Sequence, residues 1–334
     1  MEKNRHESMG LTDDDVLDIY QTMLLARKVD QRTWLLNRAG KVPFVVSCQG
    51  QEAAQAGAAF ALNKEKDYIL PYYRDLGIVL AFGMTPKEVM LASFANKEDP
   101  SSGGRQMPNH FGKKENRIVT GSSPVTTQLP HAAGIALAAK MNHETCVAFT
   151  SLGEGSTNQG DFHEALNFAG VHQLPMITFV ENNRYAISVP LDKQIASENI
   201  SVRAKGYGIT GITIDGNDPL TVYEAVHDAR ERAIRGEGPT LIEAMTERLT
   251  AHSSDDDDAY RDSDIVEQAK EKDNLNMFAH YLRNLGILTK EVEDELNQNI
   301  DQLVNEATEY AENAADPEAA DALKFVYEED RRVD

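Results

Sequence analysis

Cysteine is nearly absent, with only Cys48 and Cys146 in 334 residues. That excludes a disulfide framework and a cysteine-rich zinc site, and it suits a reducing cytoplasm. Long apolar runs are also missing: none approaches the roughly 18 residues a membrane span needs. The opening Met1-Glu2-Lys3-Asn4-Arg5-His6 lacks the apolar core of a secretory signal, so the expected location is the cytoplasm. Basic residues are scarce, 33 Lys and Arg against 54 Asp and Glu, for a net charge of −21. Nucleic-acid phosphates are held mainly by basic surface, so neither nucleic acid nor a membrane is an expected partner. The acidic excess gathers at Asp255-Asp256-Asp257-Asp258 and after Glu291, where solvated faces are the simplest reading. A zinc helix fails as well, because His163-Glu164 has Asn167 where the second histidine of His-Glu-x-x-His would stand. Internal repeats and low-complexity linkers are absent.

What remains is an alternation of short apolar runs and helical patterns. Thr12 reads as an N-cap with Asp15 three residues later, opening a long helix on Val16, Ile19, Tyr20, Met23, Leu24 and Val29. Further helices are expected over 51–62, where alanines permit close packing, and over 86–94, 130–141 and 220–235. Residues 212–214 and 240–245 read as two buried strands, and Cys146 falls in another as a small buried residue. From Ile265 the chain turns helical and charged, with Thr289 a cap. The expected architecture is a single α/β domain over 1–334, a doubly wound, mostly parallel sheet. A helical extension is expected at 1–40 and an acidic helical one at 265–334.

Two short motifs stand a βαβ unit apart. Cys146-Val147-Ala148-Phe149-Thr150 is a β-prone run ending at Gly153-Glu154-Gly155, where glycine lets the backbone turn and approach a ligand. A helix then starts at Asp161 on Phe162, Ala165, Leu166 and Ala169, and Pro175 closes it. Met176-Ile177-Thr178-Phe179-Val180 forms the second strand, with Glu181-Asn182-Asn183 at its carboxyl end. In an open parallel sheet both motifs open into one crevice. Mg²⁺ takes octahedral oxygen ligands, and Glu154 and Asn183, 29 residues apart, offer a carboxylate and an amide oxygen. Tyr185 adds a backbone carbonyl from the same loop. Amides around Gly155-Ser156 suit phosphate oxygens. Each motif alone is more often a simple turn, and it is the two together, with strands before both and a helix between, that favour a site.

Three other stretches carry polar chemistry. Tyr72-Tyr73-Arg74-Asp75 follows an apolar run, and its arginine suits either a diphosphate clamp or an ordinary surface ion pair. Residues 121–128 are dense in small hydroxyls, the composition of a hydrogen-bonded turn. Residues 250–261 form a polar loop expected to be mobile until ligand arrives, with His252 solvent-facing on its own terms. Phe44, within Val42-Pro43-Phe44-Val45-Val46, reads as core.

Gly153-Glu154-Gly155-Ser156, the run from Gln159 to Ala169, and Glu181-Asn182-Asn183-Arg184-Tyr185-Ala186-Ile187-Ser188 together resemble the thiamine-diphosphate motif of 2-oxo acid dehydrogenases. The likeness is to the alpha subunit of the decarboxylating component, nearest the branched-chain type, and runs from about Leu11 to the acidic C-terminus. Glutamate at 154, where aspartate is commoner, is similar to the branched-chain branch. The resemblance implies Mg²⁺ on Glu154, Asn183 and the Tyr185 carbonyl. Thiamine diphosphate would rest on Tyr73, Arg74, Ser123, Val125, Gly153, Gly155, Ser156, Glu181, Asn183 and His252. His252 takes a catalytic role in acyl transfer to a lipoyl group. Ser122, Pro124, Thr127 and Gln128 match a K⁺ site that varies among relatives, and Phe44, Tyr72 and Val125 match the substrate pocket. Arg248 and the following aspartates resemble a loop-ordering network. The implied partners are a beta subunit in an α₂β₂ heterotetramer, a lipoyl-bearing acyltransferase and a branched-chain 2-oxo acid. A pyruvate or acetoin counterpart stays open, as does a non-catalytic nucleotide-binding or scaffold protein on the same sheet.

Overall fold

A computed structural model describes residues 4–324 and residue 326. The end of the expected acidic extension therefore lies outside the described residues. Eleven α-helices and seven strands are present among them. The helices are α1 (Arg5–Ser8), α2 (Asp13–Arg38), α3 (Glu52–Phe60), α4 (Leu76–Ala81), α5 (Pro86–Ser93), α6 (Gln128–Met141), α7 (Gly160–Val171), α8 (Pro219–Ile234), α9 (Ser263–Glu271), α10 (Asn274–Asn284) and α11 (Lys290–Asn313). The strands are β1 (Tyr68–Leu70), β2 (Ala148–Gly153), β3 (Met176–Asn182), β4 (Tyr185–Ala186), β5 (Val189–Pro190), β6 (Thr210–Asp215) and β7 (Thr240–Met245).

Five strands form one parallel sheet in the order β1-β2-β3-β7-β6, and β4 and β5 pair as a separate antiparallel hairpin. Alternation along the central strands splits their side chains between two cores. Phe149, Ile177, Phe179, Ile242 and Ala244 join the core that also holds residues of α2, α3, α8, α10 and α11. Ala148, Leu152, Met176, Val180 and Leu241 face the other way, against α6 and α7. Helices on both faces make the sheet doubly wound, as expected.

Capping follows the residues expected to supply it. Thr12 accepts from the Asp15 amide, with the reciprocal bond from the Thr12 amide to Asp15, and Thr289 accepts from the Val292 amide. Several boundaries differ from the expectation. Cys146 is buried but precedes its strand, which starts at Ala148. Residues 212–214 are not a buried strand but the middle of edge strand β6, where every second residue is exposed. An edge strand has a neighbour on one side only, so its apolar residues are half covered. Phe44 is half-buried and belongs to neither core, because the irregular 41–47 segment turns it outward from the buried Val42 and Val45.

Candidate active site

The parallel register determines which loops meet. Gly153 pairs with Glu181, and Asn182 with Met245, so β2, β3 and β7 end together, with β1 close by. Beyond those ends lies an open cleft of about 700 Å³. Tyr72, Tyr73, Arg74, Val125, Gly153, Glu154, Gly155, Ser156, Asn183, Tyr185 and His252 line it, so most of the expected site residues converge. Ala186 and Ile187 line it too; both lie in the 181–188 motif, but the sequence assigns them no role.

Glu154 opens a turn of 3-10 helix, Glu154–Asn158, which intervenes before α7 begins at Gly160. Thr157 caps that turn back onto the Glu154 carbonyl at 2.6 Å. The Glu154 carboxyl is 1 % exposed. Burial pushes its pKa up, opposed by its own backbone N–H, by Gln194 and by the Asn183 N–H. A buried carboxylate without an ion pair among the described residues is a group that a cation stabilises. Asn183 is nearly buried, and its amide oxygen accepts from the Tyr185 N–H at 3.3 Å, an Asx turn that leaves its second lone pair free. Gly155 has a specific reason to be glycine: a Cβ there would stand 2.5 Å from the Ala186 Cβ.

Arg74 and Arg248 are the largest fully buried side chains among the described residues. The Arg74 guanidinium donates to the Ser47 carbonyl and lies 3.4 Å from the His252 carbonyl and 3.3 Å from His252 Nδ1. Its Nε has no partner among the described residues. An unpaired buried guanidinium nitrogen beside a cleft fits an anionic ligand. Because Nδ1 of His252 faces a donor, it is the accepting nitrogen and Nε2 carries the proton. Burial, then Arg74 and Arg248, lower the His252 pKa to about 4. The ring is therefore neutral near pH 7. Tyr73 packs against this pair, its ring 6.1 Å from the His252 ring and edge-on to it, and 5.4 Å from the Arg74 guanidinium carbon.

Beneath the floor lies a second layer. Glu181 does not line the cleft; it is fully buried, accepting from Gln55 Nε2 at 3.0 Å and from the Tyr72 hydroxyl at 3.4 Å. Asp75 is buried beside it and is raised well above the usual carboxylate range by burial and by Glu181. Such a pair favours one shared proton. Gln55 also donates to the Arg74 carbonyl and accepts from Gly77, tying α3 to the arginine loop.

The remaining expected residues fall around the cleft rather than in it. Ser122, Pro124 and Thr127 meet: the Ser122 hydroxyl donates to the Pro124 carbonyl at 2.8 Å and bonds Thr127. Gln128 turns its amide nitrogen down to the Ser151 carbonyl, 2.8 Å away. Ser123 points to His110 Nε2 at 2.8 Å, a partner that sequence spacing did not reveal. Phe44 is not among the lining residues. The 250–261 loop is hydrogen-bonded in place: Leu249 and Ser254 amides donate to Gln49 and Val45 carbonyls, and Arg261 donates to the Arg248 and Thr250 carbonyls. His252 is accordingly half-buried, not solvent-facing, and Ser253 is buried. No helix among the described residues is long and apolar enough to cross a membrane.

Residues 20–320 match the family model described as dehydrogenase E1 component. Over 328 residues the chain is 63 % identical to the 2-oxoisovalerate dehydrogenase subunit alpha of Bacillus subtilis (strain 168), covering 98 % of this chain and 99 % of that protein. It is 39 % identical over 320 residues to the pyruvate dehydrogenase E1 component subunit alpha of the same organism, covering 95 % and 83 %. The corresponding protein of Staphylococcus aureus (strain Mu50 / ATCC 700699) is 37 % identical over 321 residues, covering 96 % and 84 %. The chain belongs to the family of dehydrogenase E1 components.

Proposed function

We propose that this chain is the alpha subunit of a branched-chain 2-oxo acid dehydrogenase, catalysing with a beta subunit the oxidative decarboxylation of 3-methyl-2-oxobutanoate and its relatives. The acyl group passes to the lipoyl group of an acyltransferase. The reading is carried by the meeting of Glu154, Asn183, Arg74 and His252 in one cleft at the carboxyl ends of β2 and β3. The near-full-length likeness to the 2-oxoisovalerate subunit favours branched-chain acids over pyruvate.

Membership of the E1 family implies thiamine diphosphate and a divalent metal. When bound, the cofactor supplies the electron sink for decarboxylation. In this reading Glu154, Asn183 and the Tyr185 carbonyl hold Mg²⁺, an all-oxygen donor set suited to that ion. Arg74 pairs with the diphosphate, Gly153, Gly155 and Ser156 let it approach the backbone, and Val125 with Tyr73 supports the rest of the cofactor. Ser123 and Glu181 act from beside and beneath it. Tyr72 and Val125 border the acyl group, Phe44 stays outside the cleft, and Ser122, Pro124, Thr127 and Gln128 surround K⁺. His252, neutral with its proton on Nε2, serves as the acid–base group in acyl transfer. The ring end of the cofactor would rest on the beta subunit in an α₂β₂ assembly.

Co-expression with a beta subunit, followed by kcat/KM for 3-methyl-2-oxobutanoate and for pyruvate, tests the proposal. The branched substrate is expected to win, and the single chain to be inactive. A preference for pyruvate would reassign the substrate, and robust decarboxylation by the chain alone would overturn the two-subunit reading.

A further inference from the structure

Gln194 follows Glu154 by 40 residues and lies in the irregular stretch after the β4–β5 hairpin. Its Nε2 donates to the Val189 carbonyl at 2.7 Å and approaches Glu154 Oε1 at 3.5 Å. Two acceptors around one end of the amide fix its orientation, since the reversed amide would set oxygen against oxygen. The other end, Oε1, is buried and accepts no hydrogen bond from the described residues. It lies 3.6 Å from where a Cβ at Gly155 would stand, packed against the turn that carries Glu154. Val189 pairs with Ala186 across the hairpin. One amide therefore grips both the carboxylate and the hairpin that carries Tyr185.

Glu154 has few other restraints. Gln194 is its one side-chain hydrogen-bond donor among the described residues; the rest are backbone N–H groups of Glu154 itself and Asn183. We infer that Gln194 is a positioning residue for metal loading. It ties the Glu154 carboxylate to the β4–β5 hairpin, in the arrangement that would receive Mg²⁺. The inference rests on the proposed reading of Glu154 as a metal ligand.

Partners standing behind metal ligands set their geometry, and removing one commonly lowers metal affinity about 10- to 100-fold. Mg²⁺ demands near-ideal octahedral geometry, whereas Ca²⁺ accepts a flexible ligand set. A mis-set Glu154 therefore penalises Mg²⁺ more than Ca²⁺. General loosening of the fold would weaken both alike.

Calorimetric titration of Mg²⁺ and of Ca²⁺ into the assembled alpha–beta protein, with thiamine diphosphate present, separates these cases. Gln194→Ala is expected to lose about 10- to 100-fold in Mg²⁺ affinity and much less in Ca²⁺ affinity. Glu154→Ala is expected to lose both. Unchanged Mg²⁺ affinity in Gln194→Ala, or equal losses for the two ions, overturns the inference. Unchanged affinity in Glu154→Ala instead sinks the ligand reading beneath it. Gln194→Met keeps the bulk and removes the donor, and it gives the same readout should the alanine variant fail to assemble.

Discussion

His252 shows how one residue's chemistry depends on neighbours far away in the chain. Arg74, 178 residues distant, donates towards its Nδ1, and burial with two nearby guanidinium groups holds its pKa at about 4. The ring is expected to remain neutral in the folded chain from about pH 8 to about pH 5, well below the ordinary histidine value of about 6.5. Histidine NMR titration of the folded chain reads this directly, and a His252 midpoint near 6.5 would remove the premise. The sign for stability follows from linkage. Neutral His252 is favoured only in the fold, so its contribution is complete above about pH 6.5 and is lost as pH falls towards about 4. Glu154 behaves in the opposite sense to a salt-bridged carboxylate, because burial raises it. On the proposed reading of Glu154 as a metal ligand, the metal would have to displace a more tightly held proton there, and metal affinity is expected to fall as pH falls.

Among the elements, β2-α7-β3 was the most legible. Its apolar runs, its 3.6-residue helical face and Pro175 sufficed, and the observed elements agree within a few residues. Caps at Thr12 and Thr289 were equally readable because they are local. Edge placement of β6 and the outward turn of Phe44 were not, since burial there depends on which strands and loops become neighbours. The alanine-rich 51–62 stretch illustrates the same division. Its composition announced close packing, and the structure supplies the partner: a Cβ at Gly57 in α3 would stand 2.4 Å from the Pro219 carbonyl oxygen of α8. Gly57→Ala is expected to lower stability by about 1–3 kcal/mol, the usual cost of overpacking. Urea denaturation checks it, and an unchanged midpoint would mean that α3 shifts away without cost.

In the whole molecule, the cleft is bordered by segments that close onto one another from opposite ends of the chain. The 250–261 loop hydrogen-bonds to residues 45–49, and the 122–128 loop stands across from it with Ser122, Pro124 and Thr127 already clustered. If K⁺ completes that cluster, removing it should expose the 122–128 loop to proteolysis in the assembled enzyme. An identical digestion pattern with and without K⁺ would count against the ion. The sequence by itself determined the doubly wound sheet, the Glu154–Asn183 pair and the exclusion of disulfide and zinc frameworks, because periodicity, glycine placement and composition act over short stretches. Only the tertiary structure decided that Glu181 lies under the floor with Asp75, that Ser123 answers to His110, and that Gln194 stands behind Glu154. Those contacts join residues without fixed spacing, and it is burial and parallel register that bring them together.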